Sequence, residues 1–286
     1  MTPGAPPRVL LLAYDLRSPG TEELARTVFK VLPPAERERV LRKRLAADRT
    51  RSLIGRWLAR RAAARIVGTP WTTLCTGQRP GGQPYVVGRP QLSLSIAHGG
   101  RYALAAAALG ARVGVDTEQV ARVTRLPDTA FLGPGEQAAL QAMPRDEERR
   151  AALWVLKESA AKLTGQGLRA GLRSIVFECP GARFPLAART PYAAAEFRAF
   201  RLPGGYVAAV GSSAGEPPRE PVFVTPFRET ALETGRTDRF MNDLAQQNSI
   251  GRADDHARAP ERAPRGDGGR DCCDEETEQH IWRSVN

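Results

Sequence analysis

Val113-Gly114-Val115-Asp116-Thr117-Glu118 and Trp154-Val155-Leu156-Lys157-Glu158-Ser159-Ala160-Ala161-Lys162-Leu163-Thr164-Gly165 decide how this chain reads. The first stretch is apolar and β-branched. As a strand it points Asp116 and Glu118 to the same face. The second has helical spacing, with Trp154, Glu158, Ala161 and Gly165 on one side and Lys157 and Lys162 flanking it. A strand offering two carboxylates and a helix offering a third make an all-oxygen site for a hard cation, and lysines beside it suit an anionic substrate. Carboxylates without a thiolate point to Mg2+ rather than Zn2+. Taken singly, each half is weak. Asp-x-Glu at a strand end is usually a solvated face or a turn, and a Lys/Glu-rich amphipathic helix is usually a surface helix held by i,i+4 pairs.

Composition bounds the partners. The 286 residues suffice for one large or two small domains, and 42% apolar content is adequate for a core. There is no apolar run long enough to span a membrane. Val9 to Tyr14 is too short for a signal-peptide core and reads as a first strand, so the cytoplasm is the expected compartment. Cys75, Cys179, Cys272 and Cys273 fit no zinc or disulfide spacing, and free thiols are expected. His98 stands apart from His256 and His280, which excludes a multi-histidine metal centre in the folded part. The formal net charge of +11 favours an anionic substrate, an acidic protein or nucleic acid. Much of the excess lies between Arg37 and Arg65. Trp57 is the only aromatic residue there, and no nucleic-acid-binding signature accompanies the run, so nucleic acid is not the expected partner.

Along the chain, Thr21 reads as an N-cap for a helix over 22–32, with Glu22 and Glu23 in its first turn. Pro33-Pro34 breaks it, and Leu41, Leu45, Leu53, Trp57, Leu58 and Ile66 recur at helical spacing to Val67. Strands are expected at Tyr85–Val87, Leu92–Ile96, Tyr102–Leu109 and Arg112–Glu118, with His98-Gly99-Gly100 as a turn. Pro134–Met143 and Asp146–Leu163 read as helices. Ser174–Glu178, Glu196–Leu202 and Tyr206–Val210 read as strands, the last two joined at Gly204-Gly205. From about Ser212 the composition turns to Pro, Arg, Asp, Gly and Glu without apolar periodicity. Residues 215–286 therefore read as a largely disordered tail, with Phe223 to Phe227 as a possible docking strand.

The two opening stretches, in this order, resemble the signature of the 4′-phosphopantetheinyl transferases: Gly-x-Asp-x-Glu followed by Trp-x-x-Lys-Glu-x-x-x-Lys-x-x-Gly, with every fixed position present. Phe131-Leu132-Gly133-Pro134-Gly135-Glu136 is similar to the family's segment between them. Ser95-Ile96-Ala97-His98-Gly99-Gly100 resembles its Ser-His-Ser-Gly loop, and Gly82-Gln83-Pro84-Tyr85 its Gly-Lys-Pro-Tyr turn. Asp48 to Arg56 looks like the basic helix start of the larger, single-chain, surfactin-synthetase-activating members. After the second motif, Gly165-Gln166-Gly167-Leu168 and Ile175-Val176-Phe177 continue the pattern.

The resemblance implies an α/β (α+β) fold of two similar halves related by a pseudo-twofold axis, with the active site in the cleft between them. The halves would be residues 1–109, carrying basic coenzyme-A-binding helices and the His98 loop, and 110–214, carrying the metal-binding motifs. The break falls near Gly110. The implied reaction transfers the 4′-phosphopantetheine arm of coenzyme A to a serine of an apo carrier protein, releasing adenosine 3′,5′-bisphosphate. Asp116, Glu118 and Glu158 would hold Mg2+, Lys162 would reach a phosphate, and Glu158 is the candidate base beside Asp116 and Lys162. Arg39, Arg51, Ser52, Gln83, Pro84, Ser95, Ala97 and His98 would contact coenzyme A, the substrate. The acceptor would be an acidic acyl or peptidyl carrier domain of fatty-acid or secondary metabolism, and the protein a monomer.

Two residues depart from the pattern. Gln83 replaces a usual Lys, and Ala97 a usual Ser. Glu136 reads as a helix-dipole partner rather than a ligand, Trp154 as core, Thr117 as neutral, and Arg37, Lys43 and Arg61 as a solvated basic face. Two rival functions remain: a basic nucleic-acid-binding protein whose carboxylates are structural, and a catalytically idle protein that binds coenzyme A or carrier domains.

Overall fold

The computed structural model describes residues 9–142, 146–165, 171–178, 184–213, 215, 217–218 and 220–225. The expectations for Gln166–Leu168, Phe227, Cys179, Cys272, Cys273, His256 and His280 lie outside the described residues. The strands are β1 (Val9–Asp15), β2 (Thr76–Gln78), β3 (Pro84–Val86), β4 (Leu92–Gly99), β5 (Tyr102–Leu109), β6 (Val113–Gln119), β7 (Leu186–Thr190), β8 (Ala193–Leu202), β9 (Tyr206–Ser212) and β10 (Val222–Phe223). The helices are α1 (Thr21–Val31), α2 (Pro34–Leu41), α3 (Ala46–Val67), α4 (Val120–Val123), α5 (Pro134–Gln141) and α6 (Glu147–Thr164). The chain is an α/β protein with two sheets. One has six strands in the order β10-β1-β5-β4-β3-β2, the other four in the order β6-β9-β8-β7.

The central strand β5 explains how the sheets stack. Its sequence, Tyr102-Ala-Leu-Ala-Ala-Ala-Ala-Leu109, lacks polar alternation because both faces are buried. Ala103, Ala105 and Ala107 face α1 and α3 together with Leu12 and Tyr14 of β1. Tyr102, Leu104, Ala106 and Ala108 face the second sheet, where they meet Val113, Val115, Phe200, Ala208 and Val210. Alanine is a weak strand former, but small side chains let a helix and a second sheet approach closely from opposite sides. On the helix side, α3 comes so near that a Cβ on Gly55 would lie 2.8 Å from Ile96 Cγ2.

The two sheets are sewn together where β4 lies beside β6. Val113 N–H donates to Ser93 Oγ at 3.2 Å and Val115 N–H to Ser95 Oγ at 3.0 Å. These two bonds satisfy backbone donors of β6 that strand pairing with β9 leaves over. Gly110, with φ +72°, turns the chain from one sheet into the other.

Several local expectations change. Thr21 does not cap α1: Gly20, in the left-handed region, stands at that position, and Thr21 Oγ1 donates to Ser18 O at 2.6 Å. The long helix expected to Val67 is interrupted between Leu41 and Ala46. Ser174–Glu178 forms no strand. A short 3-10 turn at Leu172–Ser174 and a lone bridge from Glu178 to Arg189 replace it. β2 and β7 were not expected; β7 alternates buried and exposed residues through Ala and Arg, which mutes its apolar signal. Within the stretch read as largely disordered, a short docking strand does form where Phe223 to Phe227 offered one, one residue earlier: Val222–Phe223 pairs in parallel with Leu12–Ala13, and Val224 is buried.

No helix among the described residues is long and apolar enough to cross a membrane.

Candidate active site

The site lies where β6 and α6 meet the end of β4. α6 begins at Asp146, whose side chain accepts the Arg149 N–H at 2.9 Å, and ends at Gly165 in the left-handed region. It packs directly on β6 at Gly114. Ser159 Oγ donates to Gly114 O at 2.9 Å, and a Cβ on Gly114 would lie 2.0 Å from Ser159 O. This contact puts Glu158 and Lys162, one turn apart on α6, over Asp116 and Glu118 of β6. On the other flank, a Cβ on Gly99 would lie 2.3 Å from Thr117 O, so the end of β4 presses equally close.

Asp116, Glu118 and Glu158 are 3%, 5% and 4% exposed. Lys162 Nζ joins Asp116 Oδ1 at 2.8 Å and donates to Ile96 O at 3.4 Å, so one ammonium bridges both sheets. Burial pushes Glu158 up to about 7; the Asp116 and Glu118 charges add to this, and Lys162 opposes it. Burial also raises Asp116 against the pull of Lys162. It raises Glu118 as well, eased by the Gln119 N–H at 2.8 Å and by Arg122 at 3.5 Å. The physical cause is shared: three carboxylates are removed from water with one lysine among them. All-oxygen donors of this kind suit a hard divalent cation. Among the described residues, no three acidic, histidine or cysteine side chains converge tightly enough to form a ready-made metal cage.

A basic cluster adjoins the carboxylates. His98 is not in a turn: it belongs to β4 and pairs with Ala103, and the reversal falls at Gly100-Arg101. Burial, together with the charges of Lys162, Lys43 and Arg51, lowers His98 to about 4, so the imidazole is neutral at pH 7. Arg51 is steadied by Asp48 at 2.7 Å. Arg39 Nε is buried and meets no acceptor. Glu36 braces the helices that carry this cluster. It is buried and takes Arg60 at 2.7 Å, Arg56 at 3.3 Å and Thr76 Oγ1 at 3.0 Å, tying α2 to α3 and β2.

The expected residues divide. Asp116, Glu118, Glu158, Lys162, His98 and Arg51 are brought together. Gln83 lies beside the end of α6, its Oε1 3.4 Å from where a Gly165 Cβ would stand, and Pro84 opens β3 next to it. Ser52 is buried, with Arg56 bonded to its Oγ. Ser95 is buried with its hydroxyl on Val115 N–H, and the Ala97 side chain lies in the core between the sheets.

Lys157 needs correction. It is fully buried, paired to Glu136 at 2.6 Å and bonded to Leu172 O at 3.1 Å and Ile175 O at 2.6 Å, so it braces the fold instead of meeting substrate. Glu136 takes the structural role expected of it, also accepting Gly133 N–H at 2.9 Å. Trp154 packs edge-on against Phe131, with ring centroids 5.2 Å apart. Thr117 Oγ1 donates to Val207 O at 3.0 Å. The solvated face is also revised: Lys43 acts on His98, and Arg61 is buried over the Trp57 ring. Glu36 escaped sequence reading because an acid in a first helical turn ordinarily signals only the helix dipole.

Two family models match end to end: "4′-phosphopantetheinyl transferase, N-terminal" over residues 18–110 and "4′-phosphopantetheinyl transferase superfamily" over 112–210. The chain belongs to the 4′-phosphopantetheinyl transferase superfamily. It is 33% identical over 141 residues to a 4′-phosphopantetheinyl transferase of Bacillus subtilis, covering 49% of this chain and 62% of that protein. It is 29% identical over 135 residues to 4′-phosphopantetheinyl transferase psf-1 of Bacillus pumilus, covering 46% and 58%. Over 165 residues it is 27% identical to the L-aminoadipate-semialdehyde dehydrogenase-phosphopantetheinyl transferase of Xenopus laevis, covering 52% and 54%. The matches thus span between 54% and 62% of these relatives' lengths. The boundary between the two family models falls beside Gly110, where the chain passes from one sheet to the other.

Proposed function

We propose that this protein transfers the 4′-phosphopantetheine arm of coenzyme A to a serine hydroxyl of an apo acyl or peptidyl carrier protein. The observation that carries the reading is the Lys162–Asp116 contact beside Glu158, a buried acidic cluster whose lysine also acts on His98 together with Lys43 and Arg51. One region suits a proton acceptor and a hard cation, the neighbouring one suits phosphates.

In this reading the serine oxygen attacks the pyrophosphate phosphorus that bears the pantetheine arm. The bond from that phosphorus to the bridging oxygen breaks, and adenosine 3′,5′-bisphosphate leaves with the electron pair. The serine proton passes to the Glu158 carboxylate, directly or through water. Burial raises this carboxyl in the metal-free protein, and Mg2+ held at the same side chain would favour its ionised, proton-accepting form. Lys162 stabilises charge on the reacting phosphate, and Arg51, Lys43 and neutral His98 receive the outer phosphate of the coenzyme. Arg39, with its unpartnered Nε, is suited to a further phosphate contact. Gln83, in the β2–β3 turn beside the end of α6, serves as a neutral hydrogen-bonding residue.

Asp116, Glu118 and Glu158 would hold Mg2+, which when bound would neutralise pyrophosphate charge. The carboxylate-only donor set fits that ion, and the cost of burying three carboxylates with one lysine is the structural observation in its favour.

The test is mass spectrometry of apo carrier proteins incubated with the protein, coenzyme A and Mg2+. One phosphopantetheine arm should be gained per carrier, with at least ~10²-fold slower gain in Asp116→Ala and Lys162→Ala. Absence of any modification across a broad carrier panel, with cooperatively folded protein, would refute the reading.

A further inference from the structure

The turn between α2 and α3 reads Leu41-Arg42-Lys43-Arg44-Leu45. Leu41 is 54% exposed and Leu45 65% exposed, and Arg42 and Arg44 beside them are exposed as well. The turn is nevertheless well braced. Arg42 N–H bonds Glu38 O at 3.0 Å, Lys43 N–H bonds Val40 O at 3.1 Å, and Arg49 Nε bonds Lys43 O at 2.8 Å. Leu45 O accepts the N–H groups of Asp48 and Arg49 at 3.1 and 3.2 Å. Two leucines are thus held out to water on a preorganised support, which lowers the ordering entropy of any contact they make. Exposed leucines alternating along a turn with exposed arginines offer what a small interface uses, apolar contact beside charge. The turn also adjoins the candidate site, because Lys43 within it lies close enough to His98 to act on its protonation.

We propose that the Leu41–Leu45 turn is a docking surface for the carrier protein, whose acidic surface meets Arg42 and Arg44 while an apolar spot receives Leu41 and Leu45. This rests on the transferase reading above. The occupant follows from charge. The chain carries a net +11, and both exposed arginines of the turn call for carboxylates rather than for a second copy of the same basic protein.

The full-length chain is tested with a fluorescently labelled acidic apo carrier protein, by anisotropy without coenzyme A and by steady-state transfer with it. Two double variants are compared with wild type: Leu41→Ser with Leu45→Ser, and Arg42→Glu with Arg44→Glu. Both should weaken carrier binding and raise the carrier KM by about tenfold or more. In the leucine variant the coenzyme A KM should stay within twofold, and both variants should still melt cooperatively, since these side chains are exposed in the free protein. Three results would overturn the proposal. They are carrier affinity unchanged within twofold in both variants, a coenzyme A KM rising in step with the carrier KM in the leucine variant, and loss of binding to DNA or anionic vesicles with carrier binding intact. If wild type modifies no carrier, the transferase reading fails. Anisotropy still decides docking in that case, and absence of wild-type binding to any acidic carrier would overturn it separately.

Discussion

Gly114 and Ser159 lock strand β6 to helix α6. The Ser159 hydroxyl donates to the Gly114 carbonyl at 2.9 Å, and the place a Gly114 Cβ would take is 2.0 Å from the Ser159 carbonyl oxygen. The glycine of the first motif is therefore required by its contact with the second motif. The glycine leaves room for the helix that carries Glu158 and Lys162 to lie against the strand that carries Asp116 and Glu118.

Gly114→Ala should consequently be costly, although it adds one methyl group. The methyl meets α6 backbone at Ser159 O and Leu163 N, and α6 must move outward. A loss of about 1–3 kcal/mol is expected from overpacking alone. Transfer should drop further than stability does, because Lys162 leaves Asp116. Denaturant melts paired with transfer rates would show this. A variant as stable and active as wild type would contradict the described contact.

The metal-free protein should lose stability as pH rises through Glu158's titration. Its carboxyl is raised from 4.5 to about 7 in the fold, so the folded state holds its proton more tightly than the unfolded chain does. The associated stabilisation is complete below about 4.5 and is lost as pH passes 7. Glu158→Gln should thus melt higher than wild type at pH 8 without divalent ions, by several degrees, and the gap should close at low pH. Thermal melts of both proteins from pH 4 to 8.5 in a chelating buffer would check it. A gap of the same size at every pH would count against it.

Breaking the buried Lys157–Glu136 pair should destabilise strongly. Lys157→Met leaves the Glu136 carboxylate buried without its cation and frees the carbonyls of Leu172 and Ile175. About 3–5 kcal/mol is the expected order for removing one partner of such a pair. Combining Lys157→Met with Glu136→Leu should recover part of that loss, since no lone charge then remains. A double-mutant cycle in urea gives the coupling, and additive losses would disprove it.

Truncation should separate two boundaries. Ending the chain after Thr225 retains β10 and the buried Val224, whose N–H bonds Ala13 O at 3.0 Å. Ending it after Ser213 removes both and uncovers the edge of β1. The shorter protein should be less stable by about 2 kcal/mol, the order of one buried valine. Equal melting of the two would show that β10 contributes nothing to the fold.

The sequence alone was enough for the elements whose signal is local. The β-branched run around Asp116, the 3.6-residue spacing from Trp154 to Gly165, and the apolar blocks at Val9 and Tyr102 all stand where periodicity puts them, because each strand or helix buries one continuous face or two. The motif spacing also put Glu158 one turn from Lys162. Tertiary structure alone settled what each charged side chain faces. Lys157 and Lys162 sit five residues apart on one helix, and yet one is sealed against Glu136 while the other bridges Asp116 and Ile96. Residue type cannot distinguish them, since the difference comes from whichever chain segment covers each side of α6. The same holds for Ser95, whose hydroxyl is taken by a backbone donor twenty residues on, for Lys43, which acts on His98 of β4, and for Glu36, which meets Arg56 and Arg60 only once α2 folds over α3. Long-range packing sets burial and the partners of a charge, and neither is encoded in any local spacing of residues.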